Sequence, residues 1–265
     1  MSERVRAGRS LWGRGWDLCC STSGFLTRHG WVPIAAIFLA LGGLWAFLEV
    51  ADEVQEGETR PWDEPIFRAI AGWYSGLGGS WQEAGRDLTA LGGTTVITLM
   101  VTCVTVFLLL WRHWRSAAFL VVSVVGGLLI SLALKRYFDR DRPDLFEHGS
   151  ETMTQSFPSG HTANSAVAYL AVAILLTKLA RSPRMKAYIL TVGFAVPLLV
   201  GFSRVALAVH WPTDVVAGWL LGLAWGLLVY AAATLLQKRG AIDQEGEIAT
   251  QGKAPGPTLQ AGPGA

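Results

Sequence analysis

Charged residues are scarce in this chain of 265 residues, and their scarcity is the first indication of its class. Asp, Glu, Lys and Arg supply 16% of the sequence, whereas hydrophobic residues supply 51%. Soluble domains are usually about one-quarter charged. The composition therefore argues against an ordinary soluble domain and favours one compact membrane domain. The formal net charge of +2 is also too small to indicate a nucleic-acid partner.

Cysteine is rare as well, with only Cys19, Cys20 and Cys103 in the chain. Three thiols cannot form the disulfide framework of a small secreted domain, and their spacing matches no metal-binding motif. The sequence also lacks an internal repeat and a long heptad pattern.

Long apolar runs, in contrast, recur along the chain. A hydrocarbon core about 30 Å thick is crossed by roughly 20 apolar residues in a helix. We therefore predict an all-α fold, a polytopic bundle of six transmembrane helices over residues 31–236. A cytoplasmic leader (residues 1–30) and a disordered cytoplasmic tail (residues 237–265) are predicted to flank it. The six apolar runs are Trp31–Val50, Gly93–Trp111, Ser116–Leu134, Thr162–Leu179, Ala187–Phe202 and Val215–Leu236.

The distribution of Lys and Arg predicts how these spans are oriented. If the N-terminus is cytoplasmic, the internal segments hold fourteen of the 22 Lys and Arg residues and the external segments hold eight. Cytoplasmic loops carry the excess of positive charge in membrane proteins. We therefore expect both termini to be cytoplasmic and, in a bacterial host, the membrane to be the inner or plasma membrane.

The first external segment is acidic and is followed by an amphipathic pattern. We predict one short helix here, which either lies in the membrane interface or packs on top of the bundle. Its apolar residues at helical spacing are Ile66, Phe67, Ile70, Trp73, Tyr74 and Leu77.

Three short polar segments fall at predicted span ends, where ionic groups are costly. With a cytoplasmic N-terminus, all three lie on the outer side of the membrane. Several cations can lie close together there if they surround an anion with several oxygens. Taken alone, each cation is also consistent with a side chain that extends to the membrane interface. The segments are residues 135–143, with Lys135 and Arg142, residues 158–161, and residues 203–214, with Arg204.

Two histidines accompany these cations. Residues 158–161 read Pro-Ser-Gly-His, the pattern of a helix start with Ser159 as N-cap, and the N–H groups of such a start favour an anion beside His161. His210 and Asp214 are four residues apart near the start of the last span. A carboxylate on one ring nitrogen would make the other a better nucleophile. Taken singly, an incidental histidine and a structural His–Asp pair are the alternatives.

Together the three segments resemble the signature of the type 2 phosphatidic acid phosphatase (PAP2) superfamily, K-x6-RP, PSGH and SR-x5-H-x3-D. All eleven fixed positions match in order, and the six-span pattern extends the likeness over residues 31–236. The matching residues are Lys135, Arg142 and Pro143, then Pro158, Ser159, Gly160 and His161, then Ser203, Arg204, His210 and Asp214.

The resemblance implies a membrane lipid phosphatase, that is, a metal-independent phosphoric ester or diphosphate hydrolase without a cofactor. By the same resemblance, His210 forms a phosphohistidine, Asp214 orients it, and His161 protonates the leaving oxygen. The implied partners are the lipid bilayer and a lipid phosphate or diphosphate, with no nucleic acid. The implied phosphate-binding residues are Lys135, Arg142, Ser159, Gly160 and Arg204.

Several substrates and two other classes stay open at this point. Undecaprenyl diphosphate is the first choice for a bacterial host, because that carrier is recycled on the outer side, and phosphatidylglycerophosphate, phosphatidate and lipid A are the alternatives. A lipid phosphotransferase and a non-catalytic lipid-binding or transport relative compete with a hydrolase. A vanadate haloperoxidase is disfavoured, because those relatives are soluble. The loop of residues 144–155 either shapes selectivity or is a solvated connector.

Overall fold

The structure is a computed structural model that describes residues 31–147 and 155–251, with the side chains of the last helix described as far as residue 237. Every regular element in these residues is a helix, which confirms the all-α prediction. The helices of the described ranges are α1 (Val32–Glu56), α2 (Arg60–Ser75), α3 (Gly79–Ala90), α4 (Thr94–Leu110), α5 (Trp114–Phe138), α6 (Gly160–Thr177), α7 (Pro183–Ala206) and α8 (Pro212–Gln251).

Each of the six predicted apolar runs lies within one helix, apart from at most two residues at an end. Five helices of the described residues are long and apolar enough to cross a membrane, and α3 and α4, which are bent by 46°, complete a sixth span when they are counted as one. α4 alone has 17 residues, which at 1.5 Å per residue is shorter than a hydrocarbon core about 30 Å thick. The chain is therefore an integral membrane protein. The five single spans are α1, α5, α6, α7 and α8.

The last helix is longer than the sequence predicted. α8 continues to Gln251, whereas its apolar run ends at Leu236. The first part of the segment predicted as a disordered tail is therefore helical, because Lys, Arg, Ala, Gln and Glu in this stretch favour a helix. The remainder of the predicted tail, residues 252–265, and the predicted leader, residues 1–30, lie outside the described residues.

The segment that follows α1, which the sequence predicted to hold one short helix, forms two helices, α2 and α3. α2 buries Phe67 and Tyr74 against residues at the end of α7 and in the loop that follows, so one of its faces packs on top of the bundle. Its other face leaves Ile66 and Trp73 exposed. The sequence did not predict α3, because Trp81 and Leu88 are the only large apolar side chains of this short helix.

Glycines bring α8 into close contact with α6. A Cβ added at Gly218 would lie 2.8 Å from the carbonyl oxygen of Ser159, and one added at Gly222 would lie 2.7 Å from that of Ala163. Helices pack this closely in membranes through small residues spaced four apart. The contact holds the start of α8 beside the start of α6, and these are the helix ends that carry most of the predicted catalytic residues.

Replacing Gly222 with alanine is expected to push α6 and α8 apart and to lower the thermal stability of the protein. The new Cβ would also meet the Cβ of Ala166 at 2.8 Å, and overpacking of this kind costs about 1–3 kcal/mol. Gly226 is the matched control, because a Cβ added there meets no atom within 4 Å. Thermal unfolding in detergent should show a lower melting temperature for Gly222→Ala, whereas the melting temperature of Gly226→Ala should be unchanged or slightly higher. Equal melting temperatures for the two variants would argue against the close contact.

Candidate active site

His210 and Asp214 meet at the start of α8, where both are enclosed. Their exposed fractions are 1% and 0%. His210 Nδ1 lies 3.3 Å from Asp214 Oδ2. The same carboxylate oxygen accepts hydrogen bonds from the backbone N–H of Trp211, at 2.9 Å, and from the hydroxyl of Ser156. Asp214 is thus held in one orientation. Because its carboxylate lies beside His210 Nδ1, it favours the tautomer with the proton on Nδ1, which leaves the lone pair of the ring on Nε2.

The other ring nitrogen of His210 faces a cation. Arg142 Nη1 lies 3.3 Å from His210 Nε2 and donates a hydrogen bond to the carbonyl oxygen of Val209 at 2.5 Å. Burial lowers the pKa of the His210 imidazole well below 6.5, and neighbouring charges lower it further. A neutral imidazole whose Nε2 lies beside a guanidinium suits attack on a phosphate bound by that guanidinium. The charges that lower this pKa belong to Arg204, Arg142, Lys135 and His161.

One backbone carbonyl brings two of the cations side by side. Lys135 Nζ donates to the carbonyl oxygen of Gln155 at 2.6 Å, and Arg142 Nη2 lies 3.5 Å from the same oxygen. Gln155 ends the loop of residues 144–155 whose role the sequence left open. Residues 148–154 of that loop lie outside the described residues.

The start of α6 lies next to Lys135. A Cβ added at Gly160 would come within 3.3 Å of Lys135 Cε, so glycine leaves space for the lysine stem. Ser159 occupies the N-cap position as predicted, but its hydroxyl accepts a hydrogen bond from Thr162 Oγ1 at 2.8 Å and does not cap the helix. The first N–H groups of a helix have no intrahelical acceptor. These N–H groups and Lys135 are therefore near enough to bind the same anion.

The third cation and the second histidine contact the bend between α3 and α4. Arg204 is 3% exposed, and its Nη1 donates to Thr89 Oγ1 at the end of α3, at 3.0 Å. His161 is half-buried in the first turn of α6, and a Cβ added at Gly92 would lie 3.3 Å from the Cβ of His161. The helix that the sequence missed thus forms one wall of the site.

All eight predicted site residues come together at one end of the bundle, although 79 positions separate the first from the last in the sequence. The contacts and charges above join His210, His161 and Asp214 with Lys135, Arg142, Ser159, Gly160 and Arg204. Cations and helix N–H groups surround the two imidazoles. Such a set of groups can bind an anion with several oxygens and bring a nucleophile to it.

Sequence reasoning missed several polar residues that support this site. Arg140 Nη1 lies 2.5 Å from Asp214 Oδ1, and Arg140 Nη2 lies 2.7 Å from Asp63 Oδ2. Arg140 was visible within the polar segment of residues 135–143, but no pattern set it apart. Asp63 lies 77 positions away from Arg140 among several other acidic residues, so only the fold could pair them. Ser156 and Thr89 likewise belong to no motif.

The donor set of the site suits an anion better than a metal ion. Among the residues that the structure describes, no group of three or more His, Cys, Asp or Glu side chains is arranged to hold a metal. Cys103, the one cysteine in the described ranges, is exposed on α4. Metal independence itself stays a prediction that needs an assay.

Known phosphatases share sequence with this chain. Residues 116–238, which include all three polar segments, match the PAP2 superfamily. Phosphatidylglycerophosphatase B of Bacillus subtilis is 29% identical over 188 residues, which cover 69% of this chain and 89% of that protein. The undecaprenyl-diphosphatase of Sulfolobus acidocaldarius is 35% identical over 125 residues, which cover 45% of this chain and 56% of that protein. This chain thus spans little more than half of the length of the Sulfolobus relative.

A solved structure shares the fold. The crystal structure of a transmembrane PAP2 type phosphatidylglycerolphosphate phosphatase from Bacillus subtilis superposes with a TM-score of 0.65 at 26% identity. The match covers 76% of this chain and 94% of that one. The signature segments, the membrane-spanning bundle and the matched region of the chain all point to the same family. The chain therefore carries a PAP2 superfamily domain over residues 116–238, and its relatives and structural neighbour are membrane-bound PAP2 phosphatases, which supports a phosphoric ester hydrolase.

Proposed function

We propose that this chain removes phosphate from a membrane lipid phosphate or diphosphate through a phosphohistidine on His210. The observation that carries the proposal is the pair of neighbours of the His210 ring. Asp214 Oδ2 lies 3.3 Å from Nδ1, and Arg142 Nη1 lies 3.3 Å from Nε2. A carboxylate on one nitrogen and a phosphate-binding guanidinium beside the other are what an in-line attack by Nε2 requires.

The reaction proceeds in two displacements at phosphorus. In the first, the Nε2 lone pair of His210 forms a P–N bond, the bond from phosphorus to the lipid oxygen breaks, and His161 gives that oxygen a proton. In the second, water attacks the phosphohistidine, His161 takes up the proton of the water, and the P–N bond breaks to release phosphate. His161 serves as acid and then as base, as microscopic reversibility requires.

Charge stabilisation around the phosphoryl oxygens supplies much of the rate acceleration. A positioned general acid contributes typically about 10²- to 10⁴-fold, which falls far short of the ~10²¹-fold accelerations reached with the slowest phosphate monoesters. Lys135, Arg142, Arg204 and the N–H groups at the start of α6 are the groups we assign to the equatorial oxygens. Because these groups sit on rigid helix ends, they need little reorganisation as charge develops.

We place the reaction at the outer face of the membrane, on the positive-inside argument from the Lys and Arg residues. The head group would then lie at the interface, with the lipid tails among the helices. Undecaprenyl diphosphate is our first choice of substrate, supported by the likeness to the Sulfolobus relative, an undecaprenyl-diphosphatase. Phosphatidylglycerophosphate is the second candidate, favoured by the Bacillus subtilis relative, because the match covers 89% of that protein.

Phosphate release from a panel of lipids, measured on the purified chain in excess EDTA, tests the proposed function. We expect the highest kcat/KM with undecaprenyl diphosphate, unchanged activity in EDTA, and inhibition by vanadate, because the assigned phosphate ligands are cations and N–H groups. The panel also contains phosphatidylglycerophosphate, phosphatidate and lipid A, so that the best substrate identifies the class of lipid. A lack of release from every lipid, or strict dependence on added magnesium, would refute the proposal.

A further inference from the structure

Arg140 forms a bridge between two buried carboxylates that belong to different parts of the chain. Its side chain is 12% exposed, whereas the side chains of both aspartates are fully buried. Arg140 Nη2 lies 2.7 Å from Asp63 Oδ2, and Arg140 Nη1 lies 2.5 Å from Asp214 Oδ1. It also donates to the hydroxyls of Thr213, at 2.9 Å, and Thr59, at 3.1 Å. A guanidinium with this many fixed partners is held in one orientation.

The two oxygens of Asp214 have separate partners. Oδ1 accepts from Arg140, whereas Oδ2 accepts from Ser156 and the Trp211 backbone and lies beside His210 Nδ1. Because Arg140 holds the first oxygen, the plane of the carboxylate cannot rotate without breaking an ion pair. The second oxygen is thereby kept facing the imidazole.

Asp63 ties this arrangement to the start of α8. Its Oδ1 accepts the backbone N–H of Thr213 at 2.9 Å, and its Oδ2 accepts the Thr213 hydroxyl at 2.6 Å. Thr213 is the second residue of α8, where an N–H group has no intrahelical acceptor, so α2 provides a cap for another helix. Phe67, one turn after Asp63 on α2, packs on Trp211 with ring centroids 5.1 Å apart. The helix α2 is therefore fixed against the segment of His210 and Asp214 by both polar and aromatic contacts.

We propose that Arg140 and Asp63 are positioning residues for the reaction, and that they act on His210 through Asp214. The proposal rests on the proposed roles of His210 and Asp214. It divides the polar segment of residues 135–143 between two tasks: Arg142 meets the Nε2 side of His210, whereas Arg140 lies behind the Nδ1 side. It also makes α2 part of the catalytic apparatus, although α2 contributes no phosphate ligand.

Kinetics of Asp63→Asn and Arg140→Lys in the full-length chain test the proposal. We expect kcat to fall about 10- to 100-fold, by analogy with the loss when groups that orient metal-binding histidines are removed. KM and the inhibition constant for vanadate should stay within about twofold, because neither residue touches the phosphate site. Arg142→Lys, in contrast, should raise both constants. Arg68→Ala is the matched control on α2, since its ion pair with Glu64 is exposed, and it should leave kcat unchanged.

A double-mutant cycle separates positioning from general stability. If Asp63 acts through Asp214, Asp63→Asn should have little further effect on kcat in the background of Asp214→Asn. An equal loss of kcat in both backgrounds, a rise in KM without a loss of kcat, or no loss at all would overturn the proposal. Arg140→Lys keeps a cation at the site and offers a second route if Asp63→Asn does not fold. Full activity of Asp214→Asn alone would instead refute the proposed function, so the two failures are distinguishable.

Discussion

Replacing His210 with alanine is expected to abolish phosphate release while the protein stays folded. Removing the nucleophile of a two-step reaction typically costs about 10⁴-fold or more in kcat. The fold should tolerate the change, because Asp214 keeps its contacts with Arg140, Ser156 and the Trp211 backbone. The measurement is phosphate release, together with thermal unfolding and size-exclusion behaviour of the variant in detergent.

His113→Ala is the control for this experiment. His113 precedes α5 and lies at the end of that helix opposite to Lys135, so its loss should leave turnover unchanged. Turnover near the wild-type rate in His210→Ala would eliminate the phosphohistidine mechanism. A variant that fails to purify as a folded protein would be replaced by His210→Gln, which preserves more of the buried volume.

Replacing His161 with alanine is expected to reduce kcat by an amount that depends on the leaving group. A phosphate monoester such as phosphatidate expels an alkoxide, a strong base that needs a proton, so we expect a loss of about 10²- to 10⁴-fold. A diphosphate expels a lipid monophosphate, whose second pKa is about 6, and the first displacement then depends less on an acid. In single-turnover experiments, His161→Ala should therefore lose less of its rate with the diphosphate than with the monoester.

The ratio of the two losses is the informative quantity. Single-turnover rates of His161→Ala with phosphatidate and with undecaprenyl diphosphate would measure it, with vanadate binding as the check that the phosphate site is intact. Equal losses for the two leaving groups would show that His161 does not act as the general acid. Loss of vanadate binding would assign His161 to the phosphate site instead.

The sequence predicts the elements of this fold that follow from apolar length and local pattern. Runs of about twenty apolar residues give the membrane spans, because lipid leaves a backbone few alternatives to a helix. The start of α6 follows from Pro158-Ser159-Gly160, and the spacing of His210 and Asp214 follows from one turn of helix. The roles of these residues came from the family resemblance and still need experiments.

The contacts that complete the site depend on residues far apart in sequence, and local pattern cannot give these. Asp63 resembles the other carboxylates of an acidic segment until α2 packs on Trp211 and brings it to Arg140. Thr89 becomes a partner of Arg204 only through α3, a helix with few large apolar side chains. The end of α8 also differs from the apolar pattern: the apolar run ends at Leu236, whereas residues of high helix propensity continue the helix to Gln251.

The stereochemical course at phosphorus tests the central claim most directly. The substrate is a lipid thiophosphate made chiral with oxygen isotopes and hydrolysed in isotopically labelled water, and the configuration of the released thiophosphate is determined. Each in-line displacement inverts phosphorus, so attack by His210 followed by attack by water predicts overall retention. Overall inversion would mean that water attacks the lipid phosphate in one step, and it would contradict the phosphohistidine.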